Sequence, residues 1–324
     1  MWYISFQGES DGDVNNILVY HDSGKEHSQP NLLPTGGSNP KLDELRGFCI
    51  VGDLLYVVNA HKSISQILVY EAGNDGTYTF KEIFASMDSI NSILHPYDLT
   101  FDASGNCYIS SQDTNVVTGV QPDGTAMNVA SYLQQNYGAG FLAGTVVASS
   151  IPFAGGSNTA LPPVVKTPQG LEASLSNGSV SNSVRGVLYY DGYLYVSDEP
   201  ADAVKVYNIE TGELQGQIAG SHLSSPVQLL LNGTTLYIGS TGNDSVVTYD
   251  LSQGAPSGTV EPAYFIKGDV KHISGMAFDD SGYFYAAERK AQKILKFNAD
   301  GKAEDFIKNL PDDPEFILYV PKSD

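Results

Sequence analysis

Three of the six histidines, His61, His95 and His272, adjoin short strand-like segments of an acidic chain, and so do several of its few arginines. An imidazole with a pKa near ~6.5 can take or give a proton at neutral pH. A guanidinium group can pair with a carboxylate through two hydrogen bonds. Removal of a proton next to a carboxylate or another carbonyl group needs both functions, so these residue types indicate elimination chemistry.

The segments that carry these residues belong to a pattern that recurs six times. Each copy has an aromatic-led strand, a polar loop, a second β-branched strand and a tight turn such as Asp-Gly. Successive lead tyrosines are roughly 40–50 residues apart, the length of one blade of a β-propeller, except between the third and the fourth. The lead tyrosines are Tyr3, Tyr56, Tyr108, Tyr195, Tyr237 and Tyr285.

The two ends of the chain complete the pattern. The stretch from Tyr285 to Asp324, continued from Met1 to Tyr3, supplies one more blade length, and Glu315 begins an apolar segment that suits the inner strand of that blade. The sequence therefore predicts an all-β fold, a single six-bladed β-propeller over residues 1–324 whose closing blade is shared by the N- and C-termini.

The long interval between the third and fourth copies predicts an insertion over residues 131–183, between blades 3 and 4. A long connection without regular structure inside a compact domain is usually functional or disordered. We interpret it as a lid or cavity wall on the ligand-binding face. The alternative is a loop that only covers the junction between two blades.

Charge and composition narrow the choice of partner. A formal net charge of −20 repels phosphate backbones and anionic lipid headgroups, so nucleic acid and membrane surfaces are not expected as partners. We expect a monomer that binds a small-molecule or saccharide ligand. Three Asn-X-Ser/Thr sequons, at Asn177, Asn232 and Asn243, favour an extracellular or secreted protein, although a cytoplasmic location stays open. The two cysteines, Cys49 and Cys107, are expected to be buried thiols rather than a disulfide.

In a propeller, the loops that lead into the inner strands and the loops between second and third strands lie at one face, over the central channel. His95 or His272 is then the predicted base, and Tyr97 the acid or the partner of the leaving oxygen. Arg46 and Arg185 are predicted to neutralise the developing enolate. The predicted substrate-binding residues are His61, Asn59, Gln112, Gln228 and Arg289.

A metal site is a competing use of the same loops. Carboxylate oxygens from several blades could surround one divalent cation, Ca²⁺ or Mg²⁺, near the central channel. The candidate ligands are Asp98, Glu199, Glu288 and Glu315. Each polar residue also has a purely structural alternative, because side chains at strand ends cap backbone groups and pair between blades.

Two segments, His95-Pro-Tyr-Asp-Leu-Thr-Phe-Asp-Ala-Ser-Gly-Asn-Cys-Tyr-Ile and Ile273-Ser-Gly-Met-Ala-Phe-Asp-Asp-Ser-Gly-Tyr-Phe-Tyr, resemble the repeats of NHL-type propellers. The resemblance covers nearly the whole chain outside the insertion, and it implies the fold more specifically than the activity. It implies a superfamily with streptogramin-type lyases, gluconolactonase-like calcium lactonases and non-catalytic binding propellers.

We expect a lyase-type enzyme that acts on a carboxylate- or lactone-bearing small molecule or saccharide. A calcium-dependent lactone hydrolase is the first alternative, and a non-catalytic NHL-type ligand- or protein-binding propeller is the second. The lactonase pattern of a Glu-Gly-Pro stretch and paired Asn ligands is not clearly present here.

Overall fold

Tyrosine, valine and isoleucine fit the pleated, half-buried surface of a sheet, and strands make up nearly all of the regular structure. The computed structural model describes residues 1–8, 14–74, 76–90, 92–113, 116–127, 184–210, 214–298 and 301–321, together with the backbone of three short strands between residues 153 and 173. In the described part of the chain, no helix has the length and apolar character needed to cross a bilayer.

The strands are short and follow one another in a regular succession. The first thirteen are β1 (Trp2–Phe6), β2 (Leu18–Tyr20), β3 (Glu26–Asn31), β4 (Leu45–Val51), β5 (Leu54–Asn59), β6 (Gln66–Ala72), β7 (Tyr78–Ser86), β8 (Pro96–Phe101), β9 (Cys107–Ser111), β10 (Val116–Val120), β11 (Phe153–Ala154), β12 (Val164–Thr167) and β13 (Gly170–Ala173).

The second part of the chain continues in the same way and adds two single-turn 3₁₀ helices, Glu199–Ala201 and Thr241–Asn243. Its strands are β14 (Val184–Tyr190), β15 (Tyr193–Asp198), β16 (Ala203–Asn208), β17 (Leu214–Ala219), β18 (Pro226–Asn232), β19 (Thr235–Ser240), β20 (Ser245–Asp250), β21 (Gly258–Val260), β22 (Ala263–Ile266), β23 (Ile273–Phe278), β24 (Phe284–Glu288), β25 (Lys293–Phe297), β26 (Ala303–Ile307) and β27 (Pro314–Tyr319).

Six small sheets form the blades of a six-bladed β-propeller, which confirms the predicted fold class. Blade 1 has the strand order β27-β1-β2-β3, blade 2 β4-β5-β6-β7, and blade 3 β8-β9-β10-β11. Blade 4 has the order β14-β15-β16-β17-β21, blade 5 β18-β19-β20-β22, and blade 6 β23-β24-β25-β26. Strands β12 and β13 form a separate two-stranded sheet.

The ring closes where the sequence predicts. Each inner strand contacts the inner strands of the two neighbouring blades, including β27 with β4 and β23 with β27. In blade 1 the C-terminal strand β27 pairs antiparallel with β1, and Tyr3 lies opposite Leu318. The N- and C-terminal segments therefore complete one blade together.

One short strand of blade 3 lies within the predicted insertion. Strand β11, which lies inside the predicted insertion 131–183, is the fourth strand of blade 3 and pairs with β10. The sequence pattern did not reveal this strand because Phe153–Ala154 is only two residues long.

Blade 4 acquires its fifth strand from the neighbouring blade. The connection between β20 and β22 of blade 5 contributes β21, which pairs parallel with β17 at the outer edge of blade 4. The same connection is fixed by Glu261, whose carboxylate oxygen Oε1 accepts hydrogen bonds from the backbone N–H and the hydroxyl of Ser221, at 3.0 and 2.7 Å.

Each of the two segments that resemble NHL repeats contains an aspartate turn, Asp102-Ala-Ser-Gly or Asp279-Asp-Ser-Gly. Asp102 accepts a hydrogen bond from the backbone N–H of Asn106 at 2.9 Å and another from the hydroxyl of Tyr108 at 3.2 Å. In blade 6, Asp279 likewise accepts a hydrogen bond from the hydroxyl of Tyr285 at 3.0 Å. In blades 3 and 6 the lead tyrosine thus packs its ring inside the blade and uses its hydroxyl to hold the preceding turn.

The inner strands share an irregularity near their beginnings. In the blades led by β4, β8, β14, β18 and β23, the register with the second strand shifts within the first four residues. A β-bulge of this kind re-aims side chains next to a site. The second residues of the six inner strands are Arg46, Tyr97, Arg185, Val227, Ser274 and Glu315.

The third residues of the inner strands alternate between glycine and a larger side chain. In order around the ring they are Gly47, Asp98, Gly186, Gln228, Gly275 and Phe316. A Cβ atom on Gly47 would lie 3.0 Å from the Cα atom of Asp98, and one on Gly186 would lie 3.1 Å from the Cα atom of Gln228. Glycine in alternate blades therefore allows the inner strands to approach closely.

Serine hydroxyls fasten the same strands in two blades. The hydroxyl of Ser5 donates to the carbonyl of Arg46 at 2.8 Å and accepts from the N–H of Phe316 at 3.1 Å. Ser110 makes the equivalent pair of bonds, donating to the carbonyl of Arg185 at 2.6 Å and accepting from the N–H of Asp98 at 3.1 Å. Each hydroxyl bridges its own inner strand and the inner strand of the next blade.

We expect Ser5→Ala to lower the free energy of unfolding by about 1–3 kcal/mol, because a buried N–H and a buried carbonyl lose one shared partner. Urea unfolding followed by circular dichroism measures the change. The exposed Ser104→Ala, in a turn of blade 3, is the matched control and should stay within about 0.5 kcal/mol of the parent protein. Equal stability of the two variants would contradict the proposed fastening role of Ser5.

Candidate functional site

The chain contains only three arginines, Arg46, Arg185 and Arg289, and all three lie at one mouth of the central channel. Arg46 and Arg185 are second residues of the inner strands β4 and β14, and Arg289 follows β24 in blade 6. We call this end of the channel the upper mouth. It lies where the inner strands begin, as the sequence predicts.

One buried carboxylate joins two of the arginines. Glu315, the second residue of β27, is completely buried, and its Oε1 lies 2.7 Å from Nη1 of Arg46 and 2.9 Å from Nε of Arg289. Arg289 also donates to the side-chain oxygen of Gln7, in blade 1. The closing strand is thereby tied to blade 2 and blade 6 through ion pairs.

The third arginine has a separate set of partners. Arg185 donates from Nε to Oε2 of Glu199 at 2.7 Å and from Nη1 to the side-chain oxygen of Gln112 in blade 3. Its guanidinium carbon lies 5.1 Å from the centroid of the Tyr97 ring, a cation–π contact. About a fifth of the Arg185 side chain, 19 %, is exposed, compared with 4 % for Arg46.

Tyr97 lies between these charged groups. Its ring packs against Phe316 with the centroids 5.4 Å apart, and only 3 % of the residue is exposed. Burial, reinforced by the nearby Glu315 carboxylate and opposed by the three arginines, raises the pKa of Tyr97 well above its ordinary value. No described residue accepts a hydrogen bond from its hydroxyl. The phenol therefore stays protonated and can donate.

His95 is held between two carboxylates. Its Nδ1 lies 3.1 Å from Oδ1 of Asp113, and its Nε2 lies 3.3 Å from Oε2 of Glu44 in blade 2. Burial by itself lowers the pKa of His95, but the hydrogen bonds to Asp113 and Glu44 outweigh it and raise the pKa above the ordinary value. Lys62 approaches Asp113 at 3.6 Å on the other side. This arrangement favours the imidazolium form.

His272 has the same backbone position in blade 6 that His95 has in blade 3. Each immediately precedes an inner strand, with left-handed φ angles of 49° and 51°, and such a backbone is uncommon for residues other than glycine. The backbone N–H of His272 is held by Asp244 at 3.2 Å, whereas its imidazole is exposed. Because three blades separate the two histidines in a ring of six, they lie on opposite sides of the upper mouth.

The remaining predicted substrate-binding residues have structural partners. Asn59 is fully buried, accepts from the N–H of Asp43 at 2.8 Å and donates to the carbonyl of Lys41 at 2.8 Å. Its side chain fixes the loop that leads into β4. Gln228 accepts from the backbone N–H of Met276 in blade 6. Their binding of substrate, like that of His61, stays a prediction.

His61 lies near the His95 cluster, on the loop between β5 and β6. Its Nδ1 is 2.7 Å from the hydroxyl of Ser63, and the residue is partly exposed. It contributes electrostatically to the lowered pKa of Glu44, for which burial acts in the opposite direction and the hydrogen bond to His95 is the larger favourable cause. His61 thus borders the upper mouth beside blade 2.

The four predicted metal ligands are held apart by other partners. Glu199 pairs with Arg185, and Glu315 pairs with Arg46 and Arg289. Glu288 accepts from the N–H of Lys271 at 2.7 Å and lies 2.8 Å from Nζ of Lys293.

Asp98, the fourth, accepts from the N–H groups of Leu99 and Val187 at 2.8 and 3.2 Å. Within the described residues, no three His, Cys, Asp or Glu side chains are arranged to hold a metal ion. These residues do not fit a cation site, so we assign no chemical step to a metal, and the predicted cation stays a prediction.

Glu44 and Asp113, which hold His95, are not among the predicted site residues. The signal available in the sequence is position, because Glu44 immediately precedes the inner strand β4 as His95 precedes β8. In the structure both residues also have positive φ. The predicted lid, residues 131–183, lies outside the described residues apart from the backbone of β11, β12 and β13. Cys49 and Cys107 are free thiols, as predicted.

Comparison with known proteins supports the fold. A chain in a nidogen/laminin complex is similar to this one with a TM-score of 0.58 and 11% identity, over 98% of this chain and 96% of that chain. Virginiamycin B lyase from Staphylococcus aureus is similar with a TM-score of 0.51 and 10% identity, over 84% of this chain and 73% of that chain. No protein-family model matches the chain, and no curated protein matches it. At these identities the likeness shows the fold alone.

The pKa directions of the cluster predict how stability depends on pH. Because its pKa is raised in the folded state, His95 adds to the free energy of unfolding below about pH 6.5. This stabilisation is lost as the pH rises through the folded-state pKa. The lowered pKa values of Glu44 and Asp113 give a contribution that is present above about pH 4 and is lost as the pH falls through their folded-state pKa values.

We therefore expect His95→Gln to cost most stability at about pH 5–6, with a smaller cost toward pH 9 and toward pH 3. Urea unfolding of both proteins across this range measures the difference. His21→Gln, a change at an exposed residue in the turn that follows β2, is the matched control. Its difference in free energy of unfolding from the parent protein should not vary with pH. A flat profile for His95→Gln would contradict the ion-pair arrangement.

Proposed function

We propose that this propeller is a lyase-type enzyme that acts on a carboxylate- or lactone-bearing small molecule or saccharide at the upper mouth. The observation that carries the proposal is the convergence of all three arginines around the hydroxyl of Tyr97, which has no hydrogen-bond acceptor among the described residues, in a chain with a net charge of −20. Cations concentrated at one site can attract an anionic group to that site even in a protein with a negative net charge.

Arg185 and Arg289 are the arginines that reach a bound ligand. Their side chains are 19 % and 28 % exposed, and both are oriented by partners, Glu199 and Glu315, that keep the guanidinium planes fixed. Such pre-oriented donors suit a carboxylate or a developing enolate, because little rearrangement is needed when negative charge forms. Arg46 is buried, and its effect on the ligand is indirect. It pairs with Glu315, the same carboxylate that orients Arg289.

The proton transfers follow from the two histidines on opposite sides of the mouth. His272, with an exposed imidazole, removes the proton on the carbon next to the substrate carbonyl. The C–H electron pair then forms the carbon–carbon double bond as the bond from the neighbouring carbon to its oxygen breaks. The leaving oxygen takes its proton from His95, whose raised pKa favours the protonated form, or from the Tyr97 phenol.

The likeness to virginiamycin B lyase is consistent with this proposal because a lyase of the same fold exists. It does not identify the substrate.

The ion pairs of the arginines favour a second candidate function. Glu315 and Glu199 already neutralise the guanidinium groups, which suits a propeller that binds an anionic partner without turning it over.

Turnover tests separate these functions. The protein is incubated with uronate-containing oligosaccharides, aldonolactones and cyclic peptide lactones, and the products are examined by mass and by ultraviolet absorption of a conjugated double bond. Elimination leaves products whose masses add up to that of the substrate. Hydrolysis adds one water, and a loss of that activity on chelation of calcium would favour the lactone hydrolase. No turnover of any class would leave only the binding propeller.

For a substrate that is turned over, we expect His95→Ala and His272→Ala each to lower kcat by roughly 10²–10⁴-fold, since each removes one proton-transfer group. Tyr97→Phe should lower kcat with little change in KM. Arg185→Lys keeps the charge but loses the paired geometry, and we expect it mainly to raise KM. The control His21→Ala lies outside the mouth and should leave both constants unchanged. Full activity of His95→Ala and His272→Ala would contradict the proposed mechanism.

A further inference from the structure

A cavity lies at the opposite end of the channel from the upper mouth. It has a volume of about 270 Å³ and is lined by the later residues of the inner strands β4, β8, β14 and β18, together with Phe316 of β27. The lining is mostly apolar, with Phe48, Ile50 and Leu229 among its members. We call it the lower cavity.

Asp98, Thr100 and Gln228 are the polar side chains apart from Cys49 that line the lower cavity, and Asp98 is a carboxylate that forms no ion pair within the described residues. Asp98 is 8 % exposed, and its oxygens accept hydrogen bonds from the backbone N–H groups of Leu99 and Val187. No described Lys, Arg or His side chain forms an ion pair with Asp98. A buried carboxylate that lacks a positive partner costs several kcal/mol of desolvation, so its presence needs a reason.

The backbone hydrogen bond to the next blade does not supply that reason. Gln228 has the same position in blade 5 that Asp98 has in blade 3, and its amide oxygen accepts the N–H of Met276 as Asp98 accepts the N–H of Val187. A neutral amide therefore fastens the neighbouring strand equally well. The negative charge of Asp98 is in excess of what the fold needs.

We propose that the lower cavity binds a small organic ammonium cation, with the ammonium group paired to the Asp98 carboxylate and the hydrocarbon body packed against Phe48 and Leu229. The cavity volume is near the lower end of that of small-molecule sites, which limits the ligand to a compact molecule. An ammonium ion supplies both N–H donors and the missing positive charge. This site is separate from the upper mouth and does not depend on the proposed function.

The ionisation of Asp98 predicts the pH dependence of binding. Burial raises the pKa of Asp98 to about 7, partly offset by the hydrogen bonds from Leu99 and Val187. The titratable groups on neighbouring strands are Cys49 on β4, Cys107 on β9 and Arg185 on β14. Burial raises the pKa of Cys49 to about 12 and that of Cys107 well above its ordinary value, and Arg185 stays charged. None of these three changes its protonation between pH 5 and pH 8.

The test uses cyclohexylmethylamine, with cyclohexylmethanol as its neutral isostere and cyclohexanecarboxylate as its anionic counterpart. Binding to the full chain is measured by calorimetry and by ligand-observed NMR at pH 8 and pH 5. We expect saturable binding of the amine at pH 8, at least tenfold tighter than that of the alcohol. At pH 5 we expect affinity to fall by roughly a hundredfold, as the ionised fraction of Asp98 falls.

Two variants locate the site. Asp98→Asn removes the charge and should abolish the advantage of the amine over the alcohol. Ile50→Trp fills the cavity without touching the carboxylate and should abolish binding of both, so the proposal stays testable if Asp98→Asn does not fold. Ile83→Trp, at an exposed residue of β7 outside the cavity, is the matched control and should bind like the parent protein.

Three results would overturn the proposal. The first is that the alcohol binds as tightly as the amine. The second is that the amine still binds to Ile50→Trp, which would place it on the acidic surface. The third is that no saturable binding of the amine is found at pH 8. Loss of the amine preference in Asp98→Asn together with loss of binding in Ile50→Trp would support it.

Discussion

The buried carboxylate of Glu315 connects the architecture of this protein to its candidate chemistry. It lies on the closing strand and pairs with Arg46 of blade 2 and Arg289 of blade 6, so one side chain links three neighbouring blades. Removing one partner of a buried ion pair leaves an uncompensated charge, which is far more costly than losing a surface pair. The same carboxylate sets how much positive charge the upper mouth presents. Closure of the ring and the electrostatic balance of the site are therefore not independent.

A second constraint is the alternation around the inner ring. Glycines in blades 2, 4 and 6 let the strands approach, and larger residues in blades 3, 5 and 1 fill the channel at the same level. This gives six sequence repeats an approximate threefold organisation. With Tyr97 packed against Phe316, the channel is divided into a charged upper part and an apolar lower part. Two chemically different environments thus arise from a single set of strand positions.

The repeat pattern predicted the fold because each repeat reflects the packing inside one blade. Lead tyrosines such as Tyr108 and Tyr285 are almost fully buried there. It also placed Arg46, Arg185 and Glu315 at one mouth, since the position of a residue within its blade determines its face. What it could not supply is which side chains pair with one another, within a blade or between blades. Asn59 has the residue type of a ligand-binding group but fastens its own loop, and Glu44 was missed although it completes the His95 cluster. Residues distant in sequence meet there, and spacing carries no information about which of them touch.

The parallel strand β21 changes the outer sheet edge that blade 4 presents to other copies of the molecule. The outer edge of a blade exposes unpaired N–H and carbonyl groups, and such an edge invites a strand from another chain to add to the sheet. In blade 4, the connection from blade 5 occupies that edge itself, through the pairing of Gly216 with Gly258 and of Ile218 with Val260. The outermost strand of blade 4 is therefore β21, which has three residues where β17 has six, so the edge open to a strand of another chain is shorter.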